Sequence, residues 1–301
     1  MIPFFILLLA VSLPISENKN VELREEGMKS ETYEYVLERG VQLFYQGKWT
    51  QAGTIFSELA DANDDDIRPA FFRSMPSFWT YFFTGQSPHA ANEFLSYSQK
   101  ALNTGEKQLR STPGDTTSIL MMGGLYGYRA LIAASEKKYR IAVQSGVGGF
   151  SYTRRLLAMD QNHMDALIGQ GVFQYMMGTV PREIQWATRL AGMSGDREKG
   201  LEMLEKVAAS ETPTRTDARM ILAYIYKEEQ KYDDMIRLTR NLISEWPENP
   251  VFLFYHAKAQ EKIGYRDEAK KTYLSIAEIA GPEFEELVLL GKKQAERILN
   301  E

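Results

Sequence analysis

Residues 217–247 read DARMILAYIYKEEQKYDDMIRLTRNLISEWP, and residues 251–282 read VFLFYHAKAQEKIGYRDEAKKTYLSIAEIAGP. With Gln230 laid on Gly264, the two stretches run in phase 34 residues apart. The first carries Leu222, Ala223, Tyr226 and Tyr232 and closes on Pro247; the second carries Ala257, Gly264, Ala269 and Tyr273 and closes on Pro282. Apolar residues recur at spacings of three and four, the period of a helix face, and strand-type alternation is absent. Each stretch therefore predicts two short amphipathic helices. Such a unit buries its apolar face only by stacking on its neighbours.

The same unit is found on working outward. Residues 33–66 hold Gly40 as a small residue between helices, Gly47-Lys48-Trp49 as a turn, and Ala52, Phe56 and Leu59 as an inward stripe. An aromatic segment follows: Phe71, Phe72, Phe78, Trp79, Tyr81, Phe82 and Phe83. Ser87-Pro88 predicts a helix start, Pro being tolerated at a first helical position. An oversized pair covers about 117–159, with Gly123, Gly124 and Gly127 in its first helix and Gly146, Gly148 and Gly149 in its second. It ends at Asp160-Gln161-Asn162. A further first helix starts at Met164, with Gly171 at the close-contact place. An insertion, 179–195, with a short helix from Pro181, delays the second helix until Asp196, a predicted N-cap, and Arg197 is expected to pair with a carboxylate of a neighbouring helix. Thr214 with Asp217 has capping-box spacing, and Asn249-Pro250 opens the last full unit. The expected domains are a repeat array over 32–283 and a capping helix over 284–301.

A 34-residue period of this kind resembles the tetratricopeptide repeat. The resemblance implies an all-α, right-handed superhelical array of antiparallel helix pairs, holding peptides or partner proteins on a concave face. A narrower stretch, 171–204, has Gly171, Pro181, Gly192, Ser194-Gly195-Asp196-Arg197 and Gly200-Leu201, with Gly127-Tyr128-Arg129 upstream. It resembles the inclusion-body-clearance tetratricopeptide family of mitochondrial outer membranes, and a set of exported bacterial repeat proteins.

Composition narrows the classes. The formal charge is −5, opposite to the Lys/Arg excess that phosphate neutralisation requires, so a nucleic-acid partner is not expected. With no cysteine, disulfides, thiol catalysis and thiolate metal sites are excluded. Ile2 to Val11 is an apolar run too short to span a bilayer, which needs about 20 residues. With Ala10-Val11-Ser12 behind it, residues 1–16 are expected to be an export signal or N-terminal anchor, followed by a polar linker, 17–31. The expected location is periplasmic or envelope-associated.

No constellation points to catalysis. His89, His163 and His256 are dispersed and lack partners at metal-ligand spacing. Asp64-Asp65-Asp66 lacks the alternating ligands, central Gly and terminal Glu of a calcium loop, and predicts a polar turn. Gly146-Val147-Gly148-Gly149 lacks the preceding strand of a phosphate loop. No cofactor or metal is expected.

The expected function is a non-enzymatic scaffold binding a protein or peptide. Its groove would be lined by Leu37, Val41, Phe44 and Tyr45, then Ile168, Val172, Tyr175 and Met176. Further on come Met220, Tyr224, Lys227 and Glu228, then Phe254, Lys258, Glu261 and Lys262. The lining thus grades from apolar to charged. The alternative is a lipid-handling or membrane-associated protein whose apolar pocket lies near 71–83 and 179–195, with peripheral lipid contact.

Overall fold

The computed structural model describes residues 32–85, 87–160, 163–180 and 194–300. The leader, the polar linker and the short helix expected from Pro181 lie outside these residues. Among the described residues there are thirteen α-helices and no strand. They are α1 (32–45), α2 (Trp49–Ala62), α3 (Ile67–Thr80) with a π-helical turn Tyr81–Gly85, α4 (Pro88–Ser111), α5 (Thr116–Ser135), α6 (Tyr139–Met159), α7 (Ala166–Gly178), α8 (Arg197–Ala208), α9 (Arg215–Glu228), α10 (Tyr232–Glu245), α11 (Pro250–Lys262), α12 (Arg266–Ile279) and α13 (Glu285–Asn300). Consecutive helices pack as antiparallel pairs, the expected all-α superhelical array.

One turn is used four times. Gly47, Lys137, Gln230 and Gly264 have φ of 78°, 58°, 58° and 97°. In each case the next residue's N–H reaches back five residues: Lys48 to Leu43 O at 2.8 Å, Lys138 to Ala133 O at 2.7 Å, Lys231 to Tyr226 O at 2.8 Å, and Tyr265 to Gln260 O at 2.9 Å. This is the Schellman closure, which satisfies carbonyls left open at a helix end. Gln230 and Gly264, matched in the 34-residue alignment, thus occupy the same left-handed position. Glycine takes it without steric cost; Lys137 and Gln230 take it against their Cβ.

Close approach between paired helices is set by small residues. A Cβ on Gly40 would sit 2.7 Å from Phe56 Cε1, and one on Gly171 would sit 2.9 Å from Leu204 Cγ and 3.0 Å from Gly200 O. Both are packing glycines. Ala52, Phe56 and Leu59 are buried as expected. Asp196 caps α8 by accepting from Glu198 N and Lys199 N, and Asn249 caps α11 by accepting from Val251 N and Phe252 N. The expected capping box at Thr214 is not formed. Thr214 Oγ1 donates instead to Asp165 at 2.7 Å, and Asp217 is drawn away by the Tyr45 hydroxyl at 2.8 Å. Ser87 likewise makes no side-chain cap, although Pro88 is the first residue of α4. Asp66 caps α3, and Asp64 and Asp65 pair with Lys107, so the three aspartates form a polar turn.

The array returns on itself. The α1–α2 turn lies against the α10–α11 junction: Asn249 Nδ2 donates to Tyr45 O at 2.8 Å, Tyr45 stacks on Trp246 at 5.4 Å, and Lys48 pairs with Glu248 at 2.8 Å. Trp49 meets Phe284 at 4.4 Å, just before α13. The aromatic end of α3 faces α9 and α11, with Trp79 against Phe252 at 5.7 Å, Phe82 against Tyr224 at 5.7 Å and Phe83 against Tyr255 at 5.2 Å. Phe78, Trp79, Tyr81 and Phe83 are buried. Among the described residues, the buried rings of this segment are therefore interior that joins head to tail; most of 179–195, the other wall of the expected apolar pocket, lies outside them. Edge-on ring pairs at these separations add to the burial of their area.

Candidate functional site

Closure decides which of the expected groove residues can meet a ligand. Leu37, Phe44, Tyr45, Met220 and Phe254 are buried. Phe44 contacts Tyr45, Trp49, Phe72 and Trp79. The expectation of an open apolar groove at the N-terminal end is corrected here: α1 and α3 fill the concave face of α9 and α11, so their aromatic residues are packed. Val41, Ile168, Val172, Tyr175, Tyr224, Lys227 and Lys258 are half-buried, and Met176 is exposed.

Tyr175 belongs to a polar network. Its hydroxyl donates to Glu229 at 2.9 Å. Glu229 also pairs with Arg197 and, at 3.2 Å, with Lys231. This is the carboxylate expected for Arg197, and it ties the start of α8 to the α9–α10 turn. Arg197, Tyr175 and Lys231 together outweigh the burial of the Glu229 carboxyl and hold its pKa below the usual value.

The charged end of the groove is built by α9 and α11. Lys227 and Glu228 sit on the last turn of α9 and pair at 2.7 Å. The Lys227 ammonium also lies 4.6 Å from the Tyr224 ring centroid and 5.9 Å from that of Tyr255, within cation–π range. Lys258 stands opposite on α11. Among the described residues it has no carboxylate partner, and burial, followed by repulsion from Lys227, lowers its pKa. Phe254, Lys258, Glu261, Lys262, Tyr273, Gln294 and Arg297 line a cavity of about 230 Å³. Glu261 is engaged within it, accepting from the Tyr273 hydroxyl at 3.1 Å and from Arg297. Phe254 and Tyr273 thus border the same cavity as Lys258 and Lys262, neither of which makes an ion pair among the described residues. Such a site can hold an anionic group.

A larger hollow of about 460 Å³ lies between α2, α3 and α4. Its polar groups are engaged with one another: Arg73 lies over the Tyr97 ring at 5.0 Å, and Ser77 donates to Glu93 at 2.6 Å. Of the histidines, His256 is buried against Thr239 Oγ1 at 2.9 Å, and burial with nearby Arg240 lowers its pKa to about 4. No group of three or more His, Asp or Glu among the described residues is placed to hold a metal.

Sequence reasoning missed the work of Arg129, which it noted only within a motif. This buried guanidinium donates to Leu95 O and Ser98 Oγ, both at 2.7 Å, and to Gln99 Oε1 at 3.1 Å, fastening α5 to α4. The available signal was a lone charge inside an otherwise uncharged, glycine-rich helix. Tyr128 beside it packs on Phe78 at 4.4 Å.

The model of the family Iml2/Tetratricopeptide repeat protein 39 matches residues 160–289. Among solved structures, the chain is similar to TTC0263, a thermophilic tetratricopeptide repeat protein of Thermus thermophilus, at 14% identity and a TM-score of 0.37, covering 89% of this chain and 100% of that one. It is similar to yeast Tom70 at 15% identity and a TM-score of 0.39, covering 90% of this chain and 68% of that one. A tetratricopeptide repeat protein from Parabacteroides merdae shares 16% identity with a TM-score of 0.35, covering 90% and 91%. No curated protein matches. The chain is an array of antiparallel helix pairs whose segment 160–289 is similar to the Iml2/Tetratricopeptide repeat protein 39 family.

Proposed function

We propose that this repeat scaffold works without catalysis, in the cell envelope, by holding an acidic segment or free carboxyl end of a partner protein at the cavity between α11, α12 and α13. The observation that carries the reading is Lys258: a half-buried ammonium that makes no ion pair among the described residues, in a cavity it shares with Lys262, Phe254 and Tyr273. A charged hydrogen bond to such a donor contributes more than a neutral one. Phe254 and Tyr273 would take a side chain adjacent to the anionic group and so confer selectivity.

The test is fluorescence anisotropy with labelled peptides ending in acidic and aromatic residues, against amidated and neutral controls. Lys258→Glu should weaken binding about tenfold or more, equivalent to roughly 1.4 kcal/mol, with melting unchanged because the ammonium makes no structural pair. Equal affinity of Lys258→Glu and wild type for every peptide would refute the site.

The location rests on the leader. Residues 1–16 direct export in this reading, so protein from its native host should begin between Leu13 and Asn18 on N-terminal sequencing. Intact Met1 in a soluble cytosolic fraction would overturn the location without touching the cavity.

A further inference from the structure

The α5–α6 hairpin differs from the rest of the molecule in charge and in what it leaves uncovered. Between 116 and 159 there are six Lys and Arg residues and one acidic residue, Glu136, in a chain whose formal charge is −5. Glu136 is engaged by the Tyr81 hydroxyl at 2.8 Å, and Arg129 is buried. The other five cations are Lys137, Lys138, Arg140, Arg154 and Arg155. Among the described residues, none pairs with a carboxylate. Lys138 donates to Asn92 Oδ1 at 2.8 Å, Arg155 donates to Pro113 O, and Arg154 lies over the Phe150 ring at 5.7 Å. Elsewhere Arg68, Arg197, Arg215, Arg219, Arg237 and Arg297 sit in ion pairs, while Arg39, Arg73, Arg110 and Arg240 stand singly along the chain; the hairpin is set apart by having five such cations together.

Among these cations lies an apolar stripe. Tyr139, Val143 and Val147 recur every four residues on α6 and are 66%, 61% and 53% exposed. Spacing by four keeps them on one face. They are not needed to hold α5, because that side of α6 is made of small residues: a Cβ on Gly149 would lie 3.1 Å from Gly127 N and 3.2 Å from Gly123 O. The helix is 21 residues long and too polar to cross a bilayer.

We propose that the outer face of α6 lies on an anionic lipid surface. Tyr139, Val143 and Val147 would enter the boundary between headgroups and acyl chains, with Arg140, Arg154, Arg155, Lys137 and Lys138 over the lipid phosphates. A basic, apolar helical face is the arrangement that lies in such an interface, and each basic residue near the surface adds to the attraction. Charge selects the bilayer over a second copy of this chain. Two copies joined face to face through α6 would bring ten unneutralised cations together, and an anionic membrane opposes them with the complementary sign. The inference does not depend on the peptide cavity.

The absence of cysteine allows a single probe. Full-length Val147→Cys would carry an environment-sensitive fluorophore and be mixed with phosphatidylcholine vesicles, with and without about one third phosphatidylglycerol. A blue shift only with phosphatidylglycerol, lost near 1 M salt where the Debye length is about 3 Å, supports the proposal. The same probe at Arg237→Cys should not shift. In flotation assays, Arg140→Glu/Arg154→Glu/Arg155→Glu and, separately, Val143→Ser/Val147→Ser should each reduce the vesicle-bound fraction about tenfold, with melting unchanged. The proposal is overturned by no shift with phosphatidylglycerol, an equal shift on neutral vesicles, flotation unaffected by either variant, or a dimer that shields Val147 in solution.

Discussion

Trp79→Ala should destabilise the protein by roughly 3–5 kcal/mol, the usual cost of truncating a large buried aromatic. Trp79 is buried where the two ends of the array meet, with Phe44 at 5.2 Å, Tyr45 at 6.3 Å, Trp49 at 6.2 Å, Phe83 at 5.7 Å and Phe252 at 5.7 Å. Four of these partners belong to the N-terminal helices and the turn after α3, and Phe252 belongs to α11. Removing the indole leaves a void between elements joined by no short stretch of chain, so the gap cannot be closed by a local shift. Denaturant titration should show the loss of stability, and small-angle scattering should show a larger radius of gyration as the head separates from the tail. A loss below about 1 kcal/mol with an unchanged radius would mean that Trp79 is not what joins the ends.

The second large effect depends on pH. Asp217 is held by the Tyr45 hydroxyl across the closure, yet burial raises its pKa from 3.8 to about 6; the Tyr45 hydrogen bond opposes the rise and Asp165 adds to it. A folded pKa above the unfolded one means that folding prefers the protonated acid. Its contribution is fully present below pH 3.8 and is lost as pH rises through about 6, leaving a penalty above that of at most about 3 kcal/mol. Asp217→Asn keeps an oxygen for the tyrosine and carries no charge. The variant should therefore be the more stable protein at pH 8, with the difference disappearing near pH 4. His256 acts in the other direction in both proteins. Its stabilising neutral form is present above pH 6.5 and lost as pH falls through about 4, so the comparison between the two proteins isolates Asp217. A difference of the same size at pH 4 and pH 8 would show that ionisation plays no part.

Much of the array was legible because its determinants are local. The 34-residue spacing of Gln230 and Gly264 marks a turn whose left-handed φ both residues share. Gly40 and Gly171 mark helix contacts, and Asp196 and Asn249 mark caps. These signals act within a turn or between adjacent helices, so a linear pattern retains them. The path of the superhelix is not encoded that way. It accumulates from small rotations between pairs, and an open groove and a closed one share the same helical pattern. Phe44, Tyr45, Met220 and Phe254 stand where outward residues of first helices belong, and only the return of α1 and α3 onto α9 and α11 makes them interior. The density of rings between Phe71 and Phe83 was the one linear sign that an unusual amount of apolar surface needed covering. Thr214 and Asp217 show the opposite failure: a correct local spacing was overridden by a tyrosine 172 residues away.

The head-to-tail contact also sets an order of events during synthesis. Trp79 emerges from the ribosome 173 residues before Phe252, which at about 5–20 residues per second is a wait of roughly ten to thirty-five seconds. Throughout that interval the rings of α1 and α3 have no α9 or α11 to face. The nascent chain thus carries its most adhesive surface at its leading end, where a holding factor must bind it or neighbouring nascent chains will.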